Sequence, residues 1–136
     1  MQAFFADFAA DFQQTFIEAN RWVALLKGLG MTLQITAYSL VIGVILGILV
    51  AVIRSSHDQM RRPGLIMGAL NKLCHLYLTV IRGTPVMVQL LIMYFVVMVN
   101  STNVVLVASI TFGINSGSYV AEIVRSGIMS IDKGQM

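Results

Sequence analysis

Long uncharged stretches alternate with short charged clusters along the chain. Residues 28–53 contain no charged residue, and these 26 residues would form a helix about 39 Å long, enough to cross a ~30 Å hydrocarbon core with some tilt. The first half of this stretch has several polar positions and the second half is almost wholly aliphatic. Gly43 and Gly47 stand there at the four-residue spacing that lets a second helix pack closely. The pattern predicts a first transmembrane helix at about 28–53.

A second uncharged stretch runs from Gly83 to Ala121. Its 39 residues would extend about 58 Å as one helix, so two crossings fit better than one. The polar segment 100–103, Asn-Ser-Thr-Asn, supplies the break. We therefore predict a second span at about 84–99 and a third at about 104–123. Pro85 would lie in the first turn of the second span, where its missing N–H costs little.

Basic residues indicate the orientation. We predict a loop at 54–62, closed by Pro63-Gly64, with three arginines: Arg54, Arg61 and Arg62. Short loops rich in Arg and Lys are typically cytoplasmic. Counting crossings then returns the carboxyl-terminal side, which is also basic, to the cytoplasm and leaves the amino terminus outside.

Residues 65–82 have the hydropathy of a further span. However, a helix from Leu65 through Val99 would be about 52 Å long, too long for one crossing. Asn71, His75 and Thr79 form a polar stripe at four-residue spacing on this otherwise apolar helix. The stripe predicts a helix at the cytoplasmic interface that runs up to a kink at Arg82. An ordinary transmembrane helix with a buried polar face is the alternative.

Residues 1–27 precede the first span. Acidic residues come before the first basic one, Arg21, which is opposite to the order in a signal peptide. Phenylalanines at four-residue spacing share one side of a helix: Phe4, Phe8, Phe12 and Phe16. We predict an external amphipathic helix on the membrane surface. Chance spacing at a frayed terminus is the alternative.

Composition indicates a membrane protein and disfavours other classes. Of the 136 residues, 57% are hydrophobic and 11% are charged, against about 25% charged in soluble domains. A net charge of +3 is too small to indicate nucleic-acid binding. The single cysteine, Cys74, excludes an internal disulfide and is predicted to be a packed thiol. The sequence contains neither a phosphate-binding loop nor a catalytic or metal-ligand cluster, so we predict no enzyme activity, cofactor or metal.

Three segments carry a family resemblance. Residues 82–90, Arg-Gly-Thr-Pro-Val-Met-Val-Gln-Leu, resemble the Arg-Gly-Thr-Pro signature of polar amino-acid permeases. These permeases are membrane subunits of bacterial ATP-binding-cassette (ABC) importers of the histidine, glutamine, glutamate and arginine type. Residues 28–36 are similar to the opening of the family's first span. Residues 112–128, with 130–135 after them, are similar to the segment that leads into the family's cytoplasmic coupling loop.

The resemblance implies an all-α integral membrane fold, the first part of a five-span type I ABC importer permease. The chain would supply three transmembrane helices, an N-terminal interfacial helix and a cytoplasmic interfacial helix. In the family, a Glu-Ala-Ala…Gly stretch would follow Met136, form the coupling helix that docks on the ATPase, and precede two more spans. On this basis we expect a C-terminally truncated permease that lacks the main ATPase contact, whether as a fragment, a truncated gene product or one part of something larger.

The resemblance also implies a function: ATP-dependent uptake of a polar amino acid across the bacterial cytoplasmic (inner) membrane. A soluble periplasmic or extracellular binding protein would deliver the amino acid, and a separate ATPase subunit would hydrolyse ATP. A second permease subunit, identical or different, would complete the pathway. The alternative is a truncated, non-transporting structural membrane protein. A small oligomeric pore is disfavoured because no polar stripe runs through a whole span.

Polar side chains at bilayer depth should face a protein interior or a wet cavity, since lipid cannot satisfy them. The predicted pathway residues are therefore Gln89, Asn115, Ser116, Ser118, Tyr119 and Glu122. Glu122 is expected to pair with Arg125 at i+3. Interhelical hydrogen bonding without substrate contact is the alternative role of each residue.

The family motif at the start of the second span consists of Arg82, Gly83, Thr84 and Pro85. Arg82 either anchors the helix to phosphate head groups or fixes the bend between the interfacial helix and the second span. Gly113 and Gly117, further along the chain, are predicted to serve close helix packing.

Overall fold

The computed structural model describes residues 21–130, together with residues 7, 10, 11 and 13. These residues include four α-helices: α1 (Arg21–Gln59), α2 (Leu65–Gly83), α3 (Val86–Ile92) and α4 (Val104–Met129). Helix α3 continues into a π-helical turn, Met93–Val97. The chain divides into two compact units, residues 1–34 and 35–136, and every interhelical contact below lies within the second. The predicted amphipathic helix of residues 1–27 rests on phenylalanines outside the described residues.

Helix α1 runs further than the sequence predicted. The expected loop at 54–62 is wrong in its first part, because residues 54–59 continue the helix and the connection to α2 is only residues 60–64. Arg54 and Asp58 form ion pairs with charged side chains of α4, so the charges at this end are held against a neighbouring helix. A charged residue at the end of an apolar stretch therefore does not mark the end of the helix.

Residues 35–59 of α1 pack along α4, and the two helices run in the same direction. The contacts advance together along both: Ser39 with Ser109, Gly43 with Ser116, Gly47 with Val120, Arg54 with Glu122, and Asp58 with Arg125. The first is a hydrogen bond of 3.2 Å from the Ser39 hydroxyl to the Ser109 carbonyl oxygen. The two helices are therefore parallel neighbours.

Glycines allow this close approach. A Cβ atom at Gly47 would lie 2.6 Å from the Cβ of Val120, and one at Gly113 would lie 2.6 Å from the Cγ2 of Ile42. Both distances are shorter than van der Waals contact, so only glycine fits. The prediction that Gly43, Gly47, Gly113 and Gly117 serve close packing is confirmed.

Helix α2 contributes a small apolar cluster to the same core. Cys74 and Leu78 are buried against Val50 of α1 and Ala121 of α4, with Tyr77 packed beside them. The prediction of a packed Cys74 thiol is confirmed.

The chain bends sharply between α2 and α3, as expected at the Arg82 motif. Thr84 is extended (φ −113°, ψ 138°), as a residue that precedes proline usually is, and this ends α2 at Gly83. The arms on either side, Leu65–Gly83 and Val86–Val97, differ in direction by 106°. Pro85 precedes α3 instead of lying in its first turn, and the helical part of the predicted second span is shorter than 84–99.

Helix α4 begins at Val104, where the sequence placed the third span. The Asn103 side chain accepts a hydrogen bond of 3.1 Å from the Leu106 amide and caps the helix. The helix runs to Met129, beyond the predicted end at 123. Helices α1 and α4 are long and apolar enough to cross a membrane, and the two bent arms meet the same criterion only together.

Candidate functional site at the helix bend

Gln89 lies at the centre of the bend. Helix α2 ends with carbonyl groups that have no amide donor one turn further on, because the chain turns away and Pro85 has no N–H. The Gln89 side chain supplies the missing donor. Its Nε2 donates to the carbonyl oxygens of Ile81 (2.7 Å) and Thr84 (3.0 Å) and to the Thr84 hydroxyl (2.8 Å). The buried amide therefore satisfies backbone groups that lipid could not.

Asn115 ties this arrangement to α4. Its Nδ2 donates to the Gln89 Oε1 at 3.2 Å. The Ser118 hydroxyl is fully buried and donates to the Asn115 carbonyl oxygen at 2.7 Å. Both ends of the Gln89 amide are thus engaged, the donor by the bend and the acceptor by α4.

Arg82 ties the α2 side of the bend to the same helix. Its Nη1 donates to the Glu122 Oε2 at 3.0 Å. Its guanidinium carbon also lies 5.6 Å from the centre of the Tyr119 ring, within the range of a cation–π interaction. The arginine of the family motif is therefore engaged by two side chains of α4.

Asn115, Tyr119 and Glu122 recur at i, i+4 and i+7, so they lie on one face of α4. This face contacts the bend on both of its arms, through Gln89 and through Arg82. One face of α4 thus holds both arms of the bend.

Glu122 is the centre of an ionic cluster. It lies 3.7 Å from Arg54 of α1 and 3.7 Å from Arg125, the i+3 pair expected from the sequence. Arg125 also donates to Asp58 with two nitrogens, at 2.5 and 3.1 Å. Asp58 lies beyond the uncharged part of α1, and its hydrogen bonds from Arg125 lower the pKa of the carboxyl despite partial desolvation.

A cavity of about 240 Å³ lies at the bend, between α2, α3 and α4. Its lining comes from both arms and from α4: Val80, Ile81, Thr84, Gln89, Ile92, Met93, Thr111 and Ile114. Most of these side chains are apolar, and Gln89 and the two threonines provide the polar atoms.

The six predicted pathway residues do not form a single group. Gln89, Asn115, Tyr119 and Glu122 lie around the bend, and the last two keep substantial exposed surface, 48% for Tyr119 and 37% for the Glu122 side chain. Ser116 instead contacts Gly43 of α1, and its hydroxyl donates to the Gly113 carbonyl oxygen. Ser118 is enclosed in the core.

Two sets of contacts in the structure were not predicted from the sequence. The Tyr77 hydroxyl donates to the Ile114 carbonyl oxygen at 2.6 Å, next to Gly117, where a Cβ would lie 3.2 Å from that hydroxyl. The position of Tyr77 beside Cys74 and Leu78 on one helical face was the available signal. The second set is the ion pairs of Arg54 and Asp58 with α4. The sequence pattern predicted a loop for both residues and therefore did not predict these pairs.

No metal site occurs among the described residues, since no three His, Cys, Asp or Glu side chains lie close enough together to hold an ion. The site offers amide, hydroxyl, guanidinium and carboxylate groups beside an apolar hollow. These groups can bind and position a small polar molecule, and they resemble neither a nucleophile–base pair nor a phosphate cradle.

Known proteins similar to this chain are membrane components of amino-acid transporters. The putative glutamine transport system permease protein GlnP of Rickettsia prowazekii is 32% identical over 114 residues, which is 82% of this chain. The arginine transport system permease protein ArtQ of Bacillus subtilis is 37% identical over 114 residues, again 82% of the chain. The L-cystine transport system permease protein TcyB of Bacillus subtilis is 34% identical over 123 residues, or 88%.

A solved structure agrees. The crystal structure of an amino acid ABC transporter with histidines matches 88% of this chain with a TM-score of 0.69 and 33% identity. The chain is a homologue of amino-acid ABC transporter permeases. The family resemblance expected from the Arg82–Leu90 motif is confirmed.

The chain covers only part of the length of its relatives. It spans about half the length of the curated relatives it matches, 48% for GlnP, ArtQ and TcyB, and 53% of the chain in the solved structure. No protein-family model matches the chain.

Proposed function

We propose that the chain forms part of the translocation pathway of an ATP-dependent importer of a polar amino acid. The observation that carries this proposal is its similarity to permeases whose names assign them to glutamine, arginine and L-cystine transport. The three names have one chemical feature in common, a polar amino acid, and they differ in the side chain. The substrate class therefore extends no further than polar amino acids.

The packing of the helices supports three crossings of the membrane. Helices α1 and α4 are parallel, so they cross in the same direction, and the chain between them must return across the bilayer. Of the two bent arms, Val86–Val97 makes that return together with the residues that follow it up to α4. Arg61 and Arg62 in the connection before α2 favour a cytoplasmic position for that connection and an external amino terminus. In this arrangement α2 lies at the cytoplasmic interface of a bacterial inner membrane.

Partners complete the importer. An ATPase subunit supplies ATP hydrolysis, for which this sequence has no phosphate-binding loop. A second permease subunit forms the other side of the pathway, and a soluble binding protein delivers the amino acid from outside. These assignments come from the ABC permease family, and the similar solved structure is that of an amino acid ABC transporter.

Among the candidate pathway residues, Tyr119 and Glu122 are the ones that contact the transported molecule. Both retain exposed surface beside Arg82, so a carboxylate, an aromatic face and a guanidinium adjoin one another. Such a set matches the charged groups of an amino acid. The hydrogen bonds of Gln89 and Asn115 are used within the bend, so these residues position the site.

Reconstitution tests the proposal. The chain, and any longer form that continues it, is assembled with an ATPase subunit and a binding protein in proteoliposomes. Uptake of radiolabelled glutamine, arginine and cystine is then measured with and without ATP. We expect ATP-dependent uptake of at least one amino acid, a loss on Tyr119→Ala, and no loss on Leu65→Ala, which changes a side chain 94% exposed at the start of α2. An assembled complex that hydrolyses ATP but moves none of a full panel of amino acids would instead support the structural role.

A further inference from the structure

Glu122 is shared by arginines from two other helices. Its Oε2 lies 3.0 Å from Arg82 Nη1 of α2 and 3.7 Å from Arg54 Nη1 of α1. We propose that Glu122 is a latch that holds the bend, and that its carboxylate passes from Arg82 to Arg54 when α2 moves relative to α4. This device goes beyond the proposed transport function, because it concerns the conformation of the chain.

The two arginines are unequally satisfied. Arg82 makes a hydrogen bond of normal length to the carboxylate and also lies over the Tyr119 ring. The Arg54 side chain is only 16% exposed, and its Nε–H is buried with no acceptor among the described residues. A buried guanidinium donor without an acceptor is costly. Arg54 is therefore a second partner available to the Glu122 carboxylate, and its buried Nε–H would acquire an acceptor if the carboxylate moved to it.

The position of Arg82 gives the exchange a mechanical consequence. It lies in the last turn of α2, two residues before Thr84 and the break in the chain. The arm beyond the break is held separately, by the hydrogen bond between Gln89 and Asn115. Releasing Arg82 thus removes the ion pair that ties the last turn of α2 directly to α4, while Gln89 still links α3 to α4 and to the Ile81 carbonyl oxygen of α2.

The cavity supplies room for the motion. Close-packed cores resist displacement because there is no free volume to occupy. Here about 240 Å³ lies between the end of α2 and the first turns of α3, lined by Val80 and Ile81 on one side and by Ile92 and Met93 on the other. This space is free volume next to the end of α2, where the proposed motion takes place.

Distance measurements between α2 and α4 test the latch. Cys74 is replaced by Ala, and spin labels are placed at two exposed positions, Leu76→Cys on α2 and Ile123→Cys on α4. The chain is studied in lipid nanodiscs, together with any partner subunits it needs, and distances are measured by pulsed electron paramagnetic resonance. We expect one major distance and one minor distance.

The two arginines must act in opposite directions. Arg82→Gln removes the present partner and should raise the minor population about two- to fivefold, the range expected for an ion pair with this degree of exposure. Arg54→Gln removes the alternative partner and should lower it. Ser126→Ala, which removes a hydroxyl that bonds only within α4, is the control and should change nothing.

If the two arginines serve only helix packing, their replacement should not shift the two populations in opposite directions. If both arginine variants shift the populations in the same direction, or if neither shifts them, the latch is refuted. Should a Gln variant fold poorly, Arg82→Lys and Arg54→Lys keep the charge but lose the planar fork of the guanidinium. The same opposite shifts, smaller in size, are then required. Because no substrate or ATP enters the experiment, its result is independent of the uptake assay.

Discussion

The Asn115 Nδ2 donates to the Gln89 Oε1 at 3.2 Å, and this hydrogen bond attaches α4 to the bend between α2 and α3. Gln89 in turn donates to the backbone carbonyl oxygens of the bend. A helix broken by proline inside a membrane protein needs replacement donors for its freed carbonyl groups, because lipid offers none. Gln89 stands four residues after Pro85, one helical turn beyond the break, where its amide reaches back to the end of α2. The Arg-Gly-Thr-Pro motif and the glutamine behind it therefore form one structural unit.

Removing the glutamine amide should weaken this unit more than removing its partner. Gln89→Leu leaves the Ile81 and Thr84 carbonyl oxygens without a side-chain donor, so we expect a loss of about 1–3 kcal/mol in the free energy of unfolding. Asn115→Leu removes one neutral hydrogen bond to Gln89 and should cost about 0.5–1.5 kcal/mol. Unfolding in mixed detergent micelles measures both. Equal losses would mean that the backbone of the bend does not depend on Gln89.

The glycines of α1 give a prediction with a matched control. In Gly47→Ala, the new methyl group would lie 2.6 Å from the Val120 Cβ and 3.0 Å from the Ala121 amide nitrogen, atoms that cannot rotate away. Such overpacking should destabilise the chain by about 1–3 kcal/mol. Gly68→Ala, on α2, meets no atom within 4 Å and should be neutral or stabilise by up to about 1 kcal/mol. The same unfolding assay separates the two variants, and a Gly47 variant as stable as the Gly68 variant would contradict the parallel packing of α1 on α4.

The Asp58–Arg125 pair predicts a dependence on pH. Hydrogen bonds from Arg125 hold the pKa of Asp58 below its usual value of 3.8 in the folded chain. A lowered folded pKa contributes stability above the unfolded pKa, and that contribution disappears as the pH falls through the folded value. Asp58→Asn should therefore cost about 1 kcal/mol at pH 7, and the difference from the unmodified chain should narrow below about pH 4. A gap that stays constant from pH 7 to pH 3 would show that the charge of Asp58 is unimportant; Arg61→Gln, in the exposed connection, is the control.

The sequence predicted the elements that depend on local chemistry. The start of α4 at Val104 follows from a polar break with a capping Asn103, and the end of α2 follows from the extended conformation that Pro85 imposes on Thr84. Close packing at Gly43, Gly47, Gly113 and Gly117 could be predicted because small residues at four-residue spacing have few other uses in a membrane helix.

What the sequence missed depends on contacts between distant residues. Arg54 and Asp58 suggested a loop, since isolated charges favour water, and only their pairing with Glu122 and Arg125 explains why the helix continues. Likewise, polarity alone grouped Ser116 and Ser118 with Gln89, although Ser116 faces α1 and Ser118 is enclosed. Hydropathy indicates which residues avoid lipid, but it does not indicate which neighbour they contact.

The membrane topology can be tested by labelling from one side. In a chain with Cys74 replaced by Ala, Arg61→Cys lies in the exposed connection before α2, and Thr102→Cys lies in the break before α4. If the bent arms carry the chain across the bilayer, a membrane-impermeant thiol reagent applied outside intact cells should label Thr102→Cys and leave Arg61→Cys unlabelled. In inverted vesicles the pattern should reverse. Labelling of both positions from the same side would mean that Leu65–Val97 enters and leaves by one face, and the parallel α1 and α4 could not then both cross the membrane.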